Sequence, residues 1–117
     1  MIVLSNQFKK TVLFILLFLC HQLAWAAEHK IEKSIFVKEL NQSIAVFPTV
    51  YAPNVYNQPM RQFLNDQDLR WAKDVLEIGT GTGVLSLIAL RKGAGHVIGT
   101  DINLEATVNS IYNSEKL

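Results

Sequence analysis

Three glycines fall within five positions at Gly79, Gly81 and Gly83, inside the stretch "DVLEIGTGTGVLSL", and an acid, Asp101, follows Gly79 by 22 positions in "HVIGTDIN". Glycine in a regular element costs backbone entropy, so a cluster of it implies a bend or a close approach. A parallel strand feeding a helix must turn sharply, and the helix start presents unpaired N–H groups. With no Cβ in the way, Gly79-Thr80-Gly81-Thr82-Gly83 can form one wall of a nucleotide-type site. Asp101 falls at the end of the next strand, where a carboxylate can accept hydrogen bonds from ribose hydroxyls.

The details narrow the ligand. A G-x-G-x-x-G dinucleotide fingerprint would need a third glycine where Val84 stands, and a P-loop would need a Gly-Lys-Ser/Thr that is absent. Glu77, two residues before the first glycine, would repel a pyrophosphate and suit a cationic ligand, such as a sulfonium carrying an amino-acid ammonium. His29 and His96 have no partner at metal-ligand spacing, so no metal site is expected and both are read as solvated.

The elements around these residues read as strand, glycine turn, helix, strand, helix. "DVLEIG" is a short apolar run suited to a strand buried on both faces of a parallel sheet. "VLSLIALRKGAG" is a helix stopped at Gly93. "HVIGTD" is a second strand, and "NLEATVNSIYNSEKL" starts a helix with Leu104, Val108 and Ile111 on one side. The fold class is α/β: a Rossmann-like, doubly wound parallel sheet, cut off after its second strand and the following helix.

"VLEIGTGTG" with "VIGTDIN" resembles motif I and the acidic motif after it of the class I S-adenosylmethionine-dependent methyltransferases. Ala106 and Asn113 match the family's continuation after the acid, and "FPTVYAP" loosely resembles the segment before motif I in the small-domain branch, which modifies ribosomal proteins, release factors and RNA. The close likeness covers about residues 74 to 114. It implies S-adenosyl-L-methionine as cofactor, with Gly79, Thr80, Gly81 and Gly83 around its methionine portion and sugar. It further implies Glu77 supporting the loop or meeting the ammonium through water, Asp101 on the ribose hydroxyls and Ile102 against the adenine face. The methyl acceptor, whether protein, nucleic acid or small molecule, is unidentified. The family's substrate-facing motif follows its fourth strand, so no residue here is assigned to methyl transfer, and a truncated product or gene fragment is expected. The alternative is a non-catalytic exported α/β protein or an inactive fragment.

Upstream, residues 27–73 read as an extension of mixed helix and extended chain. Residues 28 to 43 have apolar positions at Ile31, Ile35, Phe36 and Leu40 that are partly helical in spacing. Pro48, Pro53 and Pro59 break the next stretch into extended chain and turns, with Tyr51 and Tyr56 as core caps or pocket walls. Asn57 is placed to cap a short helix with Pro59 in its first turn and Met60, Phe63 and Leu64 on one face; Trp71 beyond it is read as packing.

Residues 1–26 read as a signal peptide: Lys9-Lys10, an apolar run from Thr11 to Cys20, then Ala24-Trp25-Ala26 before the expected cut. The apolar run is about half of the roughly 20 residues a membrane span needs, which favours export, periplasmic or secreted, over an anchor formed by residues 11–20. The domain from residue 74 onward would then lie outside, away from the cytosol where the methyl donor is made. Cys20, the only cysteine, lies inside that segment, so a disulfide framework is excluded. A formal net charge of +1 over 117 residues gives no sign of a nucleic-acid partner, and the length suits one modest domain.

Overall fold

The computed structural model describes residues 30–116. The targeting-segment reading of residues 1–26 lies outside them. Among the described residues no helix is long and apolar enough to cross a membrane.

Where helical spacing suggests a helix, the chain makes a hairpin. Strand β1 (Lys33–Val37) and strand β2 (Gln42–Val46) pair antiparallel with Ile35 opposite Ile44, joined by a 3₁₀ turn at Lys38–Leu40. Two features override the helical expectation. Asn41 takes a left-handed conformation, φ 48°, that reverses the chain, and the β-branched residues Ile35, Val37, Ile44 and Val46 fall at the two-residue period of strands.

Helix α1 (Gln58–Asn65) follows, with Pro59 in its first turn as expected. Its apolar face is only partly used: Leu64 packs inward, but Met60 and Phe63 are half exposed or more. Trp71 is exposed rather than packed, and so is Tyr56.

Strand β3 (Asp74–Ile78), helix α2 (Val84–Arg91), strand β4 (His96–Thr100) and helix α3 (Leu104–Ser114) then form the expected α/β unit, with β3 and β4 parallel and Ile78 beside Thr100. This is the strand–helix–strand core of a Rossmann-like sheet. Burial on both faces of β3 is not what the chain shows. Val75 and Val97 pack against the helical side, whereas Leu76, Ile78 and Ile98 on the other face are 61–84 % exposed. The cause is that α2 and α3 both lie over the face carrying Val97 and Gly99.

Helix α2 is the centre of the packing. Its Val84, Leu87 and Ile88 meet Val37, Leu40 and Ile44 of the hairpin, while Ala89 meets Leu69, Ala72 and Ala94. A further cluster joins Ala45, Val46, Phe47 and Val50 to Ala106 of α3, with the Phe47 and Tyr112 rings 5.3 Å apart.

The inward face of α3 is Ala106, Asn109 and Asn113, not Leu104, Val108 and Ile111; Leu104 and Ile111 are exposed and Val108 only partly covered. The reason is hydrogen bonding. Buried backbone groups of β2 need partners, and α3 supplies amides. Asn109 accepts from the Phe47 N–H at 2.9 Å and donates to the Ala45 carbonyl at 3.0 Å. Asn113 accepts from the Ala45 N–H at 2.8 Å and donates to the carbonyls of Ala45 and Thr82, each at 2.9 Å. Asn109→Ala removes both the acceptor that meets the Phe47 N–H and the donor that meets the Ala45 carbonyl, so it is expected to cost about 2 kcal/mol, read as a lower urea midpoint with unchanged slope. A loss under about 0.5 kcal/mol would show that this amide carries no stability.

Candidate functional site

The glycine loop is fixed at the carboxyl ends of β3 and β4. The N–H groups of Gly79 and Thr80 both donate to the Thr100 carbonyl, at 2.7 and 2.9 Å, and the Gly83 N–H closes a turn on the Thr80 carbonyl at 2.8 Å. Gly79, Gly81 and Gly83 all have positive φ, at 78°, 55° and 82°. Space differs among them. A Cβ on Gly79 would meet nothing within 4 Å, so its surface is open; one on Gly83 would lie 3.0 Å from the Ser110 Cβ of α3.

Glu77 points to the helical side of the sheet and braces the loop. Its Oε2 accepts from the Thr80 hydroxyl at 3.0 Å, from the Ser86 N–H at 3.1 Å and from the Ser86 hydroxyl. No hydrogen bond occupies its Oε1 among the described residues. Ser86, in the first turn of α2, satisfies one of the helix's orphan donors through this carboxylate.

Asp101 is joined to the loop directly. Its Oδ2 accepts from the Gly81 N–H at 2.9 Å and its Oδ1 from the Asn103 N–H at 2.9 Å. N–H donation from Asn103, then from Gly81, holds its carboxyl below the ordinary aspartate value against a smaller opposing push from burial. The cap of α3 is the next-but-one residue, Asn103, whose side chain accepts from the Glu105 N–H at 3.0 Å and also donates to the Thr49 carbonyl.

A cleft of about 190 Å³ opens over the loop, lined by Glu77, Gly79, Thr80 and Gly81 together with Tyr51 and Asn57 from the preceding segment. The structure therefore brings Glu77, Gly79, Thr80 and Gly81 to one space and ties Asp101 to it through Gly81. Gly83 sits behind, against α3. Ile102 is fully exposed next to Asp101 and does not line the cleft. The His96 Nδ1 lies 3.2 Å from an Asp74 carboxylate oxygen, both side chains largely exposed, and among the described residues no three or more His, Cys, Asp or Glu side chains cluster as a metal site would need; His29 lies outside the described residues.

Sequence reasoning missed two contributors. Gly99, inside β4, lets the loop lie on the sheet, because a Cβ there would fall 2.7 Å from the Thr80 Oγ1; a glycine in the middle of a strand is a readable sign of such an approach. Asn57, expected only as a cap, lines the cleft.

Residues 61–116 match the family model described as ribosomal protein L11 methyltransferase. A ribosomal protein L11 methyltransferase of Lachnospira eligens is 37 % identical over 57 residues, 49 % of this chain and 16 % of the relative. One from Lactobacillus gasseri is 59 % identical over 39 residues, 33 % of this chain and 12 % of the relative. A Methanocaldococcus jannaschii protein named as a protein N5-glutamine methyltransferase is 58 % identical over 31 residues, 26 % of this chain and 16 % of the relative. The chain thus spans about a sixth of the length of the curated relatives it matches. No solved structure matches it significantly.

Proposed function

We propose that residues 61–116, with the segment that brings Tyr51 and Asn57 to the cleft, form the donor-binding part of an S-adenosylmethionine-dependent methyltransferase. One observation carries this reading: the glycine loop and the Asp101 carboxylate meet at 2.9 Å through the Gly81 N–H, beside a cleft that Glu77 also lines. The residues present fit the group. The open surface over Gly79 admits a ligand against bare backbone, and the unoccupied Oε1 of Glu77 suits a primary ammonium. S-adenosylmethionine, when bound, supplies a methyl group activated by the sulfonium.

The chain's own residues bind and orient. Asp101 holds the ribose hydroxyls, as expected of an acid at this strand end. Its carboxylate keeps lone pairs beyond those used by the Gly81 and Asn103 N–H groups. Gly79, Thr80 and Gly81 form the floor, Gly83 sets the helix behind it, and Ile102 offers an exposed apolar surface for the adenine face. Glu77 fixes the loop through Oε2 and meets the ammonium through Oε1. A protein substrate is favoured among the acceptors, because the relatives above carry names for methyl transfer to ribosomal protein L11 and to protein glutamine. Export by residues 1–26 belongs to the same proposal and is read from the N-terminus of the protein recovered from cells.

Calorimetric titration of the chain with S-adenosylhomocysteine tests the reading. One-to-one binding, with ATP and NAD giving no heat, is the expected result. Absence of heat with S-adenosylhomocysteine, or binding of all three alike, removes it.

A further inference from the structure

Asn57 stands where a helix cap belongs, immediately before α1, yet its side chain makes no capping hydrogen bond. Its Oδ1 instead accepts from the Asn54 N–H at 3.1 Å and from the Arg61 Nη1. Arg61 is itself held. Its Nη1 also donates to the Asn54 carbonyl at 3.1 Å, its Nε lies 3.4 Å from the Glu39 Oε1, and the two side chains are only 13 % and 8 % exposed. The Glu39 Oε2 is buried without a partner, so the guanidinium is that carboxylate's sole ion-pair partner among the described residues. An arginine fixed in this way presents its fork in one orientation. The acceptor end of the Asn57 amide is therefore pinned. An amide is planar, so its Nδ2 faces the opposite way, and it has no acceptor among the described residues, while the residue lines the cleft over the glycine loop.

We propose that the Asn57 amide is a specificity element that donates from Nδ2 to the carboxylate of the ligand's amino-acid portion. The inference rests on the donor-binding reading above. The cleft offers an acceptor, Glu77, and an oriented donor, Asn57, and an α-amino acid group carries a matching ammonium and carboxylate. Arg61 and Glu39 are positioning residues that act through Asn57.

The test compares two thioethers, S-adenosylhomocysteine and its decarboxylated analogue, which keeps the ammonium and lacks the carboxylate. Asn57→Asp retains the oxygen that Asn54 and Arg61 hold and replaces the donor with an acceptor. Asn57→Ala removes the donor without adding charge. The wild-type chain is expected to prefer S-adenosylhomocysteine by about 10-fold or more, as a hydrogen bond to a charged group provides. Both variants should lose that preference, with affinity for the decarboxylated analogue changed by less than about twofold. Equal weakening toward both ligands assigns Asn57 a structural role and overturns the inference, as does an unchanged preference in Asn57→Asp. A wild-type chain that binds both thioethers equally well also overturns it while leaving the donor-binding reading intact. A wild-type chain that binds neither ends both.

Discussion

Gly83→Val is expected to lower the stability of the chain by about 3 kcal/mol and to abolish ligand binding with it. Two separate penalties combine. At φ 82° a β-branched residue is forced into the left-handed region, which costs about 1–2 kcal/mol. The new Cβ would also lie 3.0 Å from the Ser110 Cβ and 3.2 Å from its Cα, both in the body of α3, so backbone rather than a mobile side-chain end must yield, at about 1–3 kcal/mol. Pushing α3 outward strains the amide ladder to β2 as well, because Asn113 holds both the Ala45 backbone and the Thr82 carbonyl. Gly81→Ala is the matched control. Its φ of 55° carries the conformational penalty, but the Cβ meets only the Tyr51 carbonyl at 3.7 Å, so the expected loss is about 1 kcal/mol. Urea unfolding of the pair separates packing from conformation. A Gly83→Val loss no larger than that of Gly81→Ala would mean that α3 does not rest on the loop.

Asp101→Ala is expected to weaken S-adenosylhomocysteine binding about 100-fold, the value of one or two hydrogen bonds to a charged acceptor. It also frees the Gly81 and Asn103 N–H groups from their acceptor, so a stability loss of about 1–2 kcal/mol accompanies it. The pH dependence has a definite sign. The folded-state pKa lies below the ordinary aspartate value, so the unfolded chain binds the proton more readily. The carboxylate's contribution is complete above the ordinary aspartate pKa and is lost as pH falls through the lower, folded value. Affinity in the wild-type chain should therefore hold from neutral pH down to the ordinary aspartate range and decline only below it, whereas Asp101→Ala should lack that acidic decline. Calorimetry across pH with both proteins measures this. A wild-type affinity already falling near pH 6 would assign the acid dependence to another group.

The loop and its acid were legible because their signals are local. Glycine spacing dictates where φ can be positive, and a strand–turn–helix–strand order fixes which ends share a rim, so Gly79 to Gly83 and Asp101 could be placed from chain order alone. The β1–β2 hairpin was not legible, since Ile31, Ile35, Phe36 and Leu40 satisfy a helical period almost as well as a strand one, and the deciding reversal sits in a single residue, Asn41. The buried face of α3 was hidden for a different reason. Apolar periodicity points to Leu104 and Ile111, but the packing is decided by the hydrogen-bonding needs of a strand some 60 residues earlier, met by Asn109 and Asn113. Asn57 was legible as a cap but not as part of the cleft: capping preference is a local rule, and here the Asn57 oxygen is taken by Asn54 and by Arg61, which the distant Glu39 holds. The exposed face of Leu76, Ile78 and Ile98 shows the reverse. The sequence of β3 is apolar enough for two-sided burial, and within the described residues both helices lie on one side.

Backbone-amide NMR of the chain titrated with S-adenosylhomocysteine tests the central claim most directly. Saturable shifts are predicted for the amides of Gly79 to Gly83, Asp101 and Ile102, with the Lys33–Val37 strand left in place as an internal reference. Shifts confined to the hairpin, or a loop whose amides do not move at saturating ligand, would contradict the account.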